Sequence, residues 1–338
     1  MNFKKTLLLI VLMALGTYAV FNLKENPHIM QRIEAISERE AVDASPEQSA
    51  PLIKESREKD DKAQSSFPPF PSEIRIPKRK QIEKSHKPVV LPTTIEGGLV
   101  VTNDTSYDVD LGVLLEKGPS IKLKKDGAQV LIIHTHGSEA YTPEGEDSYA
   151  ASDSYRTEDT RYNMIRVGDE LAACLESYGI SVIHDRNIYD YPSYTGSYSR
   201  SGDAVARHLK ENPEIQVVLD IHRDAIGSGD TVYKTLAEGK GESCSQVMML
   251  VGTGENGLYH PNYLENLKFA LYLQKAVVDK YPTLARPIAM KKERYNQQLT
   301  AGSLIVEVGS SGNTLQEALR AIRLFADATG PALAKLIS

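Results

Sequence analysis

Three apolar runs in this chain stop abruptly at residues that bind protons or metal ions. The first ends Ile132-Ile133-His134-Thr135-His136-Gly137-Ser138-Glu139, the second Asp220-Ile221-His222-Arg223-Asp224, and the third Ile305-Val306-Glu307-Val308-Gly309. Packing does not ask for such residues, because a buried charge has to be paired or neutralised. An imidazole and a carboxylate three residues apart, His136 and Glu139, can reach one ion from a loop that leaves a strand. His222 completes a two-histidine, one-carboxylate set and leaves a fourth position for water, as catalytic zinc requires. An ion held in that way lowers the pKa of its water and polarises a carbonyl. A second carboxylate must then take the water's proton and hand it to the leaving amine; Glu307 is the candidate. The HxxE spacing alone recurs by chance. Its weight comes from the equivalent placing of His222 and Glu307.

Other residues compete for these roles or suggest different ones. Only one of His134 and His136 is expected in the site. His136, nearer the loop, is the better placed, and His134 reads as a supporting or core histidine. Asp159 is the rival of Glu139 for the ligand position. His184 ends a strand and reads as structural or substrate-lining, whereas His28, His86, His208 and His260 fall in linker, helix-surface or loop positions. Residues 185–200 are rich in Tyr, Pro, Gly and Ser, so they form either a rigid structural loop or an aromatic wall for sugar rings and peptide stems. Arg200, Arg223 and Arg294, the last beside Tyr295 and Asn296, are candidate carboxylate clamps. Gly252-Thr253-Gly254-Glu255-Asn256-Gly257 matches GxGxxG after a strand, but no helix opens at its third glycine, so the phosphate-binding helix end is missing. Neither a GxSxG elbow nor a Walker A sequence occurs. Cys174 and Cys244 are far apart and form no CxxC pair; Cys174 reads as an inert core residue.

The elements that must position these residues alternate in type. Strands are expected over 130–133, 180–183, 216–221, 246–251 and 303–306. Helices are expected over 162–178, 199–211, 261–280 and 314–337, with Gly179 closing the first. This order implies an α/β fold, a mostly parallel sheet covered by helices on both faces. Sites in such sheets form at the carboxyl ends of the strands.

The chain has 338 residues, 41% apolar and 25% charged, with a net charge of −6. An acidic chain lacks the clustered cations of a sequence-independent nucleic-acid binder. An apolar run over residues 6–21 follows Lys4 and Lys5, so residues 1–23 are expected to be a single-pass membrane anchor with a cytoplasmic N-terminus. A cleaved signal peptide is the alternative. Residues 24–95, rich in Glu, Lys, Ser and Pro, read as an extended tether, and residues 96–338 as the hydrolase domain.

Several stretches, in order, resemble the stage II sporulation protein P family: HTHGSEAY at 134–141, RVGDEL at 166–171, DRNIYDYPSYTGSYSRS at 185–201, VVLDIHRDAIG at 217–227, HPNYLENLKFAL at 260–271 and IVEVGSSGNTLQEA at 305–318. The resemblance covers about residues 95–338. It implies a zinc-dependent N-acetylmuramoyl-L-alanine amidase of the three-layer zinc amidase and carboxypeptidase kind, acting on peptidoglycan during engulfment. In the family the first-strand His, third-strand His and last-strand Glu fall on His136, His222 and Glu307. It further implies a lytic transglycosylase and membrane proteins of the engulfment machinery as partners, in the space between mother-cell and forespore membranes. Alternatives are a cross-link endopeptidase using the same ion, and a wall-binding septal scaffold without turnover.

Overall fold

A computed structural model describes residues 98–228 and 231–338, together with the backbone of a two-residue strand, β1 (Val89–Val90). The expected anchor and nearly all of the expected tether lie outside the described residues. Residues Lys80–Ser338 form one compact unit. Among the described residues no helix is long and apolar enough to cross a membrane.

In chain order the unit runs β2 (Val101–Asn103), α1 (Leu111–Lys117), β3 (Val130–Ile133), α2 (Met164–Glu176), β4 (Val182–His184), α3 (Ser197–Glu211) and β5 (Val217–Asp224). The short strands β6 (Gly227–Ser228), β7 (Thr231–Lys234), β8 (Ala237–Gly239) and β9 (Glu242–Cys244) follow. The chain closes with β10 (Val247–Gly252), α4 (Tyr263–Lys280), β11 (Ile288–Lys291), β12 (Gly302–Ser310) and α5 (Leu315–Ala334). The central sheet has seven strands in the order β2-β11-β10-β12-β5-β3-β4. Of its six pairings only β10 with β12 is antiparallel. The sheet is therefore mostly parallel, as expected, but made of two parallel blocks running in opposite directions. Strands buried on both faces read as plain apolar runs, so their direction is not written in their pattern. Four adjacent strands, β12, β5, β3 and β4, point the same way, and their carboxyl ends share one edge.

Helices flank both faces unequally. Leu171 and Leu175 of α2, Leu267 and Phe269 of α4, and Leu319 and Phe325 of α5 join Val130, Ile132, Leu219, Ile221, Val306 and Val308 in the main core. On the opposite face Ala204 and Val205 of α3 join a smaller cluster with Leu131, Ile133 and Val218, flanked by Ile183 of β4. Beyond α3 that face carries a small cluster of Leu250, Ala289 and Ile305, packed by Met248 and Tyr295. The helices start where the sequence supplies caps. Asn163 accepts from the Ile165 N–H at α2, and Thr314 and Glu317 form a reciprocal capping box at α5. Gly179 follows α2 in the left-handed region, at φ 77°. The helix and strand spans expected from sequence differ from these by a few residues at their ends. The exceptions are β2, β6–β9, β11 and α1, which are short and were not expected.

Candidate metal centre at the carboxyl edge of the sheet

Parallel register brings the three strand ends together. Glu307 on β12 is the ladder partner of His222 on β5, and Asp220 is the partner of Ile133 on β3. Ladder partners share a face of the sheet, and so do residues two apart on one strand. Glu307, His222 and Asp220 therefore emerge side by side on the face that carries α3. The pairing register shifts beyond Glu307, between Glu307 and Ser310, a local irregularity common where a strand re-aims a side chain.

His136 and Glu139 enter from the loop that leaves β3. Strand alternation does not separate His134 from His136, since they are two apart. The separation arises because the strand ends at Ile133 and the chain turns over residues 135–138. His134 stays with the α2 side: its Nδ1 is 3.1 Å from the Ile221 carbonyl oxygen and its Nε2 is 2.8 Å from Nε2 of His184. His184 Nδ1 in turn lies 3.1 Å from Asp169. His134 and His184 are thus structural, and burial holds both well below the usual imidazole range, at about 3 and about 4. The turn is pinned by Tyr141, fully buried, whose hydroxyl donates to the Val308 carbonyl oxygen at 2.8 Å. Gly137 lets it pass the next loop, since a Cβ there would sit 3.2 Å from the Ile188 Cα.

His136, Glu139 and His222 are buried neighbours, with Glu307 beside His222 on the next strand. The His136 and His222 rings meet edge to face with centroids 5.3 Å apart. Glu139 Oε2 lies 3.5 Å from His222 Nδ1, close to the roughly 3.3 Å between two donors that share a tetrahedral ion. Burial works against the Glu139 charge, yet Arg223, His222 and His136 hold its carboxyl at about 2. Burial also works against a charge on His222, but Asp220 and Glu139 outweigh it and raise the imidazole well above its ordinary range. Burial, then the charge on His222, lowers His136 to about 4. Burial pushes Glu307 up to about 8.

Three buried atoms here have no hydrogen-bond partner: His136 Nδ1, Glu307 Oε2 and His222 Nε2, the last with Asp220 Oδ1 2.9 Å away but out of line. Orphaned polar atoms at such depth are costly unless something else meets them. Two imidazoles and a carboxylate fit zinc in chemistry and neighbourhood. Among the described residues no three such side chains stand close enough together to hold an ion.

Asp159 does not reach this pocket; it is paired with Arg161 at 2.6 Å near the surface. The three arginines read as clamps all contact backbone carbonyls. Arg200 donates to the carbonyls of Tyr189, Ser193 and Thr195, Arg223 to those of Ala140 and Tyr155, and Arg294 to that of Tyr259. His208 is paired with Asp185 at 2.8 Å. His260, read as a loop residue, is buried, and Cys174 is half-buried at the margin of the core. The sequence reading missed two residues. Arg156 bridges Glu139 and Asp190 from a loop that carries no pattern. Asp220 interrupts an apolar strand two residues before a histidine, a signal that was present.

A model of stage II sporulation protein P matches residues 17–330 of the sequence. The chain belongs to the stage II sporulation protein P family. The Bacillus subtilis (strain 168) member is 32% identical over 225 residues, which are 63% of this chain and 53% of that protein; the matched segment spans about half the length of that relative. Among solved structures, the amidase AmiC2 of Nostoc punctiforme aligns over 62% of this chain and 96% of its own, at 16% identity and a TM-score of 0.36. The amidase Ami1 of Mycobacterium smegmatis aligns over 63% and 98%, at 14% identity and 0.38. The CwlD amidase of Clostridioides difficile, in complex with the GerS lipoprotein, aligns over 61% and 98%, at 15% and 0.36.

Proposed function

We propose that this family member is a zinc-dependent N-acetylmuramoyl-L-alanine amidase that releases stem peptides from peptidoglycan during sporulation. The observation that carries the reading is the convergence of His136, Glu139, His222 and Glu307 on the shared carboxyl edge, with Glu307 the ladder partner of His222. His136, Glu139 and His222 would hold the ion. Zinc, when bound, lowers the pKa of a water and polarises the scissile carbonyl.

The remaining work falls to the chain's own groups. Glu307 takes a proton from the attacking water and returns it to the leaving amine. Its buried carboxyl, raised to about 8, suits a group that must both accept and donate near neutral pH. Arg156 and Arg223 hold Glu139 in place, with Arg223 N–H donating to Oε2 at 3.3 Å. Tyr194 lies parallel to the His136 ring at 4.5 Å and is exposed, so it forms one wall of the approach. A single-pass anchor at residues 1–23 would put this domain between mother-cell and forespore membranes, beside a lytic transglycosylase. The endopeptidase alternative uses the same ion and base on another bond.

The deciding experiment incubates the protein with purified peptidoglycan, with and without a chelator, and identifies products by mass. Free stem peptides only in the metal-replete sample support the amidase. Cleaved cross-links without stem release favour the endopeptidase, and intact wall in both samples favours a scaffold.

A further inference from the structure

Asp220 is a buried carboxylate on a strand that is otherwise apolar up to His222. Its Oδ1 accepts from the Thr135 N–H at 2.8 Å, and its Oδ2 from the Thr135 hydroxyl at 2.6 Å. That hydroxyl also meets the Ser201 hydroxyl at 2.7 Å. The carboxylate is thus fixed from the β3 loop and from α3. Its salt-bridge contact is with His222: Oδ1 is 2.9 Å from Nε2, too far out of line for a hydrogen bond. The other nitrogen of the same ring, Nδ1, faces Glu139 Oε2 at 3.5 Å. The two faces of one imidazole are therefore divided between two carboxylates.

We propose that Asp220 is a positioning residue for the metal centre: anchored by Thr135 and set 2.9 Å from Nε2, it orients the His222 ring so that Nδ1 is presented as the ligand nitrogen on the side of Glu139. This rests on the reading of His222 as a zinc ligand. A carboxylate fixed beside one ring nitrogen restrains the imidazole and leaves the other nitrogen for the ion. Thr135 carries the arrangement back to β3: the residue that anchors Asp220 is the direct neighbour of His136. One carboxylate thereby couples the orientation of His222 to the loop that delivers the other imidazole.

The test measures zinc affinity of the full chain by competition with a chromogenic chelator, alongside the visible spectrum of the cobalt form. Asp220→Asn preserves shape while removing the charge, and it is expected to weaken zinc binding about 10- to 100-fold, the usual range for an outer partner. The cobalt bands should shift in the same variant, as a purely structural role would not require. Thr135→Val removes only the hydroxyl bond to Oδ2 and is expected to give a smaller loss in the same direction. It serves as the readout if Asp220→Asn fails to fold. Zinc affinity and cobalt spectrum equal to those of the unaltered chain in the folded variants would overturn the proposal. If the unaltered chain itself bound no zinc, or if His222→Ala bound it normally, the reading of the metal centre would fail instead.

Discussion

Glu307, the proposed base, links the proposed mechanism to stability through one carboxyl. Its group ionises at about 4.5 in the unfolded chain, while burial raises it to about 8 in the folded protein. Below pH 4.5 both states are protonated and the group contributes nothing. Between pH 4.5 and 8 the unfolded state gives up its proton while the folded state retains it, so stability falls as pH rises. Glu307→Gln removes that loss. In the metal-free protein the variant should therefore melt higher than the unaltered chain, with a gap that widens from pH 5 to pH 8 in parallel thermal scans. On the proposed mechanism the same substitution should keep zinc and lose peptidoglycan hydrolysis by about 100-fold or more, since it deletes the proposed base and leaves every proposed ligand. Gly168 gives a second test, independent of the metal. A Cβ there would sit 2.5 Å from Nε2 of both His134 and His184, two rings that cannot retreat without breaking their mutual contact. Gly168→Ala should cost about 1–3 kcal/mol, read by denaturant unfolding, despite alanine's better helix propensity.

The loop between β4 and α3 is organised by charge and backbone contacts instead of an apolar core. Arg200 donates to three of its carbonyls, and Asp190 accepts from Ser138 and Arg156 on the neighbouring loop. The result is a fixed frame that leaves Tyr191 and Tyr194 exposed. Arg200→Met keeps the stem and removes the donors. It should raise KM for wall fragments several-fold and increase proteolytic cutting within residues 187–196, with little change in zinc content; equal cutting rates would contradict the frame. Of the two meanings the sequence left open for this segment, these contacts speak for a structural loop, while substrate contact remains part of the proposal. Legibility at this scale followed burial. Runs such as Val130–Ile133 and Val217–Asp224 announce themselves because they are apolar and end in polar residues. β2, β6–β9 and β11, at two to four residues each, are too short to set up any period. The reversed direction of β10 was also hidden, because a strand buried on both faces carries no mark of its neighbours' direction. Within the site, His136, His222 and Glu307 were readable from strand ends, and Glu139 from its spacing. Arg156 was not, because it is brought in by the tertiary course of a loop.

At the scale of the molecule, the candidate ligands tie together parts that the fold otherwise joins loosely. His222 belongs to a central strand, whereas His136 and Glu139 sit on a loop held mainly by Tyr141, Thr142 and Arg223. An ion shared among them adds a link that exists only in the folded chain, and a ligand that binds only the folded state stabilises by mass action. Zinc at about 100 times its dissociation constant should add about 2.7 kcal/mol. For a unit of this size, each kcal/mol moves Tm by about 2–4 °C, so calorimetry with and without the ion should differ by roughly 5–10 °C. A chelator should reverse the gain. Binding also has to expel the proton that Asp220 and Glu139 keep on His222, so the increment should shrink as pH falls. His222→Ala should remove the zinc-dependent increment while leaving a cooperative transition, since its ring makes no contribution to the main apolar core. A zinc-dependent rise of full size in that variant would place the ion elsewhere in the molecule.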